Sequence, residues 1–225
     1  MPEQFIGIVR RALMLDEGAW GELRDNAALT PLCAAVLVIV ALLGGIGAWL
    51  WGEFMFDYTP DGWFVDTVIL GTIFTVILLI GWAVVTYLLL TYVFGATVAP
   101  DALLRVFAIS AIPWALTILL FIPEVNFLIA FGAIAMMFCL FKFAVQTAFA
   151  VSRMQAAQAT LAGFAVFAIV MALLVTVENR WANGPFVFEL TEDFQTKDYS
   201  SGSVNGTDIP DIDLEDIFDT DPNAE

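Results

Sequence analysis

Histidine is absent from all 225 residues, which removes the commonest general base and the commonest metal ligand. Cysteine occurs only as Cys33 and Cys139, both inside apolar runs, so neither a disulfide framework nor zinc-site spacing is available. Both thiols are expected to behave as buried small hydrophobes. Positive charge is scarce: eight Lys and Arg stand against 24 Asp and Glu. Nucleic acid is therefore not an expected partner, because binding it needs a basic face that displaces counterions. Charged residues of either sign make up only 14% of the chain, where a soluble domain carries about 25%. The first apolar run contains Arg10 and Arg11, so it does not read as a secretory signal.

What fills the chain instead is apolar sequence, 60% of residues, gathered in long runs. A run of about 18 apolar residues crosses the roughly 30 Å hydrocarbon core as a helix. Five such runs are present, at about 31–51, 67–94, 102–122, 125–151 and 159–177. The expected fold is an all-α integral membrane protein, a bundle of five transmembrane helices. It has three parts: a cytoplasmic amphipathic segment over 1–30, the membrane domain over 31–177, and an acidic tail over 178–225.

Within 1–30, EQFIGIVRRALML places Phe5, Ile8, Val9, Ala12 and Leu13 on one helical face and Arg10 and Arg11 towards the other. That pattern suits a helix lying in the membrane interface. A second short segment, AWGELRDN, offers Trp20 and Leu23 to the same interface. In the first span, Gly44 and Ala48 have small-xxx-small spacing for close helix contact. The loop 52–66 carries Glu53, Asp57, Asp61 and Asp66 without a base, and reads as solvated because no EF-hand spacing is present. Trp51, Phe54, Phe56, Tyr58, Trp63 and Phe64 around it fit an interfacial aromatic belt. The stretch 152–158 reads as a loop before the fifth span.

Lys/Arg bias sets the orientation. With the N-terminus cytoplasmic, Arg10, Arg11, Arg24, Arg105 and Arg153 all fall on the cytoplasmic side; only Arg180 counts the other way. The expected location is the cell membrane, multi-pass, with the C-terminus outside. More than half of the acids lie from Glu178 onward, beside only Arg180 and Lys197. This tail reads as mostly disordered. It carries a possible N-glycosylation acceptor at Asn205, and its acidity fits a salt-rich, halophilic habitat.

Two polar constellations stand out in the membrane domain. Asp101 opens the third span where an acid favours a helix N-terminus, and Arg105 is its i+4 partner. Pro113, eleven residues into that span, lacks the N–H that the Ile109 carbonyl would accept. Lys142 in the fourth span falls at similar depth, with Ser110 at that level and Gln146 one turn from Lys142. Lys142, Ser110, Pro113 and Gln146 thus form a candidate intramembrane polar cluster, in which the lysine serves the freed carbonyl. The alternative is that Lys142 snorkels to the interface on its apolar stem.

The segments GWAVVTYLLLTYVFG (81–95) and LLRVFAISAIPWAL (103–116), then Ile122-Pro123 before the fourth span, resemble the Yip-domain family. The entry segment ALMLDEGAWGELRDNAALTPLCAAVLVIV (12–40) is similar to that of its prokaryotic members. The resemblance covers residues 5–177. It implies a non-enzymatic membrane protein engaged in membrane organisation or partner recruitment. Catalytic residues, metals and cofactors are not expected; the bilayer and other membrane proteins, or a second copy, are the expected partners. From another class, the alternative is a small transporter or channel built on Lys142, since intramembrane ionisable residues usually mark transport paths.

Overall fold

The computed structural model describes residues 2–55 and 62–178. Tyr58, Asp57 and Asp61 of the loop, Arg180, the acidic tail and Asn205 lie outside the described residues. All regular structure among the described residues is helical. Five helical stretches are long and apolar enough to cross a membrane: Ala27–Phe54, Val65–Val93, Pro100–Phe121, Asn126–Ala148 and Arg153–Leu174.

Two short helices precede them. Helix α1 (Pro2–Leu13) has Glu3 in its first turn and Arg10 and Arg11 in its last, each on the side the helix dipole favours. Helix α2 (Glu17–Asp25) starts at Asp16, whose carboxylate accepts the Gly18 N–H at 2.9 Å. Leu15 between them has φ 63°. Phe5, Ile8 and Ala12 are buried as their spacing demands. Trp20 and Leu23, expected to face the interface, are fully buried instead. They pack on protein because α2 lies across α5 and α6. An amphipathic pattern has the same period whether its apolar face meets lipid or another helix.

A 3-10 turn at Ala27–Leu29 leads into α3 (Thr30–Met55). The second span is α4 (Gly71–Leu88) with π-helical turns on either side, Val65–Leu70 and Leu89–Val93. On either side of residues 56–61, Phe54 and Phe64 are exposed as a belt residue should be, but Trp51 and Trp63 are turned inward.

The third span is not one continuous helix. Helix α5 (Pro100–Ser110) stops, and a 3-10 helix runs over Ile112–Phe121. Pro113 explains the break: it has no N–H to offer the Ile109 carbonyl, and pairing restarts one residue tighter, with the Trp114 N–H donating to the Ala111 carbonyl at 2.9 Å. This span is the centre of the bundle, 67% buried over its apolar window against 28–39% for the others.

Helices α6 (Asn126–Ala148) and α7 (Arg153–Glu178) complete the bundle. Residues 153–158, expected as loop, already belong to α7. The reason is a reciprocal cap: the Gln155 N–H donates to Ser152 Oγ at 3.3 Å and the Ser152 N–H to Gln155 Oε1 at 3.1 Å.

Close approach between helices is plainest at Gly47 and Gly163. A β-carbon on Gly47 would overlap the Thr117 carbonyl, so α3 lies directly against the 3-10 half of span three. One on Gly163 would overlap Trp82, which fixes α7 on α4. There Trp82 donates its indole N–H to the Thr160 carbonyl at 3.0 Å, and Thr86 Oγ1 donates to the Ala159 carbonyl at 3.3 Å. Trp82 also meets Phe107 and Phe141 edge-on, at 5.5 and 6.0 Å between ring centroids.

Candidate functional site: an arginine junction at one end of the bundle

The carbonyls that close a helix have no partner within it and must find one outside. For α2 the partner is Arg105. Its guanidinium is almost wholly buried, with 3% of the side chain exposed, and donates in four directions. Nε donates to the Leu23 carbonyl at 2.8 Å, and Nη2 to the Arg24 carbonyl at 2.5 Å. Nη1 donates to Thr30 Oγ1 at 2.9 Å and to Asp101 Oδ2 at 2.8 Å. One planar fork therefore joins the end of α2, the start of α3 and the first turn of α5, a geometry a lysine ammonium cannot reproduce. A cation beside helix-ending carbonyls also complements the negative end of the dipole.

A second arginine repeats the device one helix over. Arg24 Nη1 donates to the Ala148 carbonyl at the end of α6, at 2.6 Å. Its other nitrogens form a paired contact with Asp25, Nε to Oδ1 at 2.6 Å and Nη2 to Oδ2 at 2.7 Å. That contact holds the Asp25 carboxyl below the usual carboxylate range and raises Arg24. Arg11 ties α1 to α2 through Glu22 at 2.6 Å and to Asp16 at 3.5 Å. Arg10, Arg11, Arg24, Arg105 and Arg153 thus share the end of the bundle where α3, α5 and α7 begin. At the other end the described residues hold Glu53, Asp66 and Glu124, and no Lys or Arg.

The expected Asp101–Arg105 pair is present, but Asp101 is the outlying member, 57% exposed at its side chain. The other three acceptors, at Leu23, Arg24 and Thr30, were not legible as partners, because two are backbone groups and all lie more than 70 residues away.

The intramembrane cluster is not assembled as a hydrogen-bonded unit. Ser110 is fully buried and its hydroxyl donates to the Val106 carbonyl at 2.8 Å, one turn back in its own helix. Lys142 makes no hydrogen bond or ion pair among the described residues, with Ser110, Gln146 or otherwise. It falls on a helical stripe with Leu128, Phe131 and Cys139, all exposed, and Gln146 continues that stripe. The physical reason is register: on α6 the residues turned inward are Met137, Phe141, Ala144 and Val145, and position 142 lies off that face. Cys139 is likewise exposed rather than buried, whereas Cys33 is buried and its thiol has no partner for a disulfide. Among the described residues, no three of Cys, Asp and Glu converge to hold a metal.

Fold and junction together define a polytopic helical membrane protein with its N-terminal helices fixed to one end of the bundle. Compared with models of protein families, with curated proteins and with solved structures, the chain matches none.

Proposed function

We propose that this chain is a non-enzymatic membrane organiser of Yip-domain type, lying in the cell membrane with its arginine-bearing end in the cytoplasm. The observation that carries the reading is the Arg105 junction. An amphipathic hairpin that only floated in the interface would need no buried guanidinium at its end. Here two hydrogen bonds from Arg105 hold the end of α2 at one position on the bundle, and two more, to Thr30 and Asp101, fix the guanidinium that makes them. A wedge held in one leaflet, at a fixed place relative to five spans, acts on the bilayer or presents a constant surface to a partner. The resemblance of 81–123 to Yip-domain sequences and the Lys/Arg bias of the loops support the family type and the orientation.

The test is reconstitution into liposomes at rising protein-to-lipid ratio. The organiser reading expects vesicles to change size and curvature while ion and small-solute flux stays at the protein-free level. It expects Arg105→Met to remove the effect on shape. Flux that rises with protein and falls in Lys142→Met would establish the transporter reading in its place.

A further inference from the structure

The change of gauge at Pro113 leaves a groove. A 3-10 helix is thinner than an α-helix and stacks its side chains every third residue. The 3-10 half of span three therefore fills less of the space beside α6 than α-helix would. Between the two runs an apolar cavity of about 660 Å³, with Leu116 on one wall and Met136 and Cys139 on the other. Its size is within the roughly 300–1,000 Å³ of sites that hold small-molecule ligands. Along α6 the walls extend from Met136 to Phe143, about 10 Å at 1.5 Å per residue. Along span three they extend from Ile112 to Leu119, about 14 Å at 2.0 Å per residue. That is close to half of the roughly 30 Å hydrocarbon core, the depth of one leaflet.

Leu13 and Leu15 from the α1–α2 turn also line the groove. Leu15 has φ 63°, a left-handed conformation that leucine seldom adopts, and in it the side chain reaches the groove. Arg10 lies one turn before Leu13, at the border between the apolar and the basic side of α1. It is exposed and makes no ion pair or hydrogen bond among the described residues, whereas its neighbour Arg11 is committed to Glu22 and Asp16.

An apolar slot one leaflet deep between membrane spans, with an uncommitted cation one turn before a residue that lines it, has the chemistry of a lipid site. We propose that it takes one acyl chain of an anionic phospholipid from the leaflet at the arginine end, with the lipid phosphate paired to Arg10. The site is built from spans three and four with the α1–α2 turn, and stands apart from what the protein does to bilayer shape.

The test uses the full chain, purified in mild detergent, stripped of lipid and titrated with phosphatidylglycerol or phosphatidylcholine of matched acyl chains. Native mass spectrometry counts retained lipid, and maleimide labelling of Cys139 reports occupancy of the groove. The expected result is one retained phosphatidylglycerol per chain, favoured about fivefold over phosphatidylcholine, as one arginine near an anionic surface provides. Labelling of Cys139 slows as that lipid binds. Arg10→Gln lowers phosphatidylglycerol to the phosphatidylcholine level. Leu116→Trp and Met136→Trp, which fill the groove from exposed wall positions, remove the retained lipid. Equal retention in Arg10→Gln and in both tryptophan variants would mean annular lipid and would overturn the proposal. Should the tryptophan variants fail to fold, the wild-type chain decides alone: no slowing of Cys139 labelling by phosphatidylglycerol overturns it.

Discussion

The guanidinium of Arg105, in the second turn of the third span, donates at 2.8 Å to the backbone carbonyl of Leu23, 82 residues earlier in the chain. The acceptor is a helix-ending carbonyl that would otherwise be buried without a donor, which costs about 1–3 kcal/mol. The donor is a charge that would otherwise be buried without acceptors. Each group makes the other tolerable, and together they place α2 on the bundle.

Replacing Arg105 with Met removes all four hydrogen bonds and leaves the Leu23 and Arg24 carbonyls unserved. The expected loss is on the order of 3 kcal/mol, since water recovers part of bonds individually worth about 1.5–3 kcal/mol. Arg105→Lys should recover less than half, because one ammonium cannot serve carbonyls and carboxylate together. Asp101→Asn should cost at most about 1 kcal/mol, as its carboxylate is largely solvated. Thermal or SDS-titrated unfolding in detergent checks the order.

Gly47→Ala and Gly163→Ala should each destabilise by about 1–3 kcal/mol, because the added methyl meets a neighbour's backbone that cannot swing aside. Gly81→Ala and Gly132→Ala face open space on similar helices. They should be neutral or gain up to about 1 kcal/mol of helix stability. The same unfolding assay compares the four.

Much of this was readable beforehand, and the failures have physical causes. Long apolar runs gave the five spans because no other element can satisfy backbone groups in hydrocarbon. Pro113 announced a disturbance, but whether the chain kinks or continues as 3-10 helix depends on its neighbours, here α3 at Gly47. The start of α7 is legible in the sequence: Ser152-Arg153-Met154-Gln155 has the S-x-x-Q spacing of a capping box. Trp20 and Leu23 could not be placed from pattern, since lipid and protein demand the same apolar face. Asp101–Arg105 was visible as an i+4 pair. The larger part of that junction lies in backbone carbonyls, which no residue type advertises.

Acid should loosen the junction through Asp25. The hydrogen bond from Arg24 lowers its folded-state pKa, so its contribution is fully present above the unfolded value of about 3.9. It is lost as pH falls through the lower folded value. Melting temperature followed from pH 7 downward should show Asp25→Asn below wild type at neutral pH. The two curves should converge below about pH 4. A constant gap across the range would contradict the assignment.

The proposed orientation rests on the shared end of Arg10, Arg11, Arg24, Arg105 and Arg153. A reporter fused near Met154 should remain cytoplasmic, and one fused after Val177 should be exported. The reverse at both positions would place the hairpin outside the cell and remove the basis for a cytoplasmic platform.

Amide hydrogen exchange of the full chain in lipid nanodiscs tests the Arg105 junction most directly. In the wild type, the amides of Glu17–Asp25 should exchange as slowly as those of a packed helix. In Arg105→Met they should exchange roughly a hundredfold faster, the equivalent of about 3 kcal/mol, while the amides of α6 keep their protection. Rapid exchange of Glu17–Asp25 in the wild type, or unchanged protection in Arg105→Met, would contradict the account.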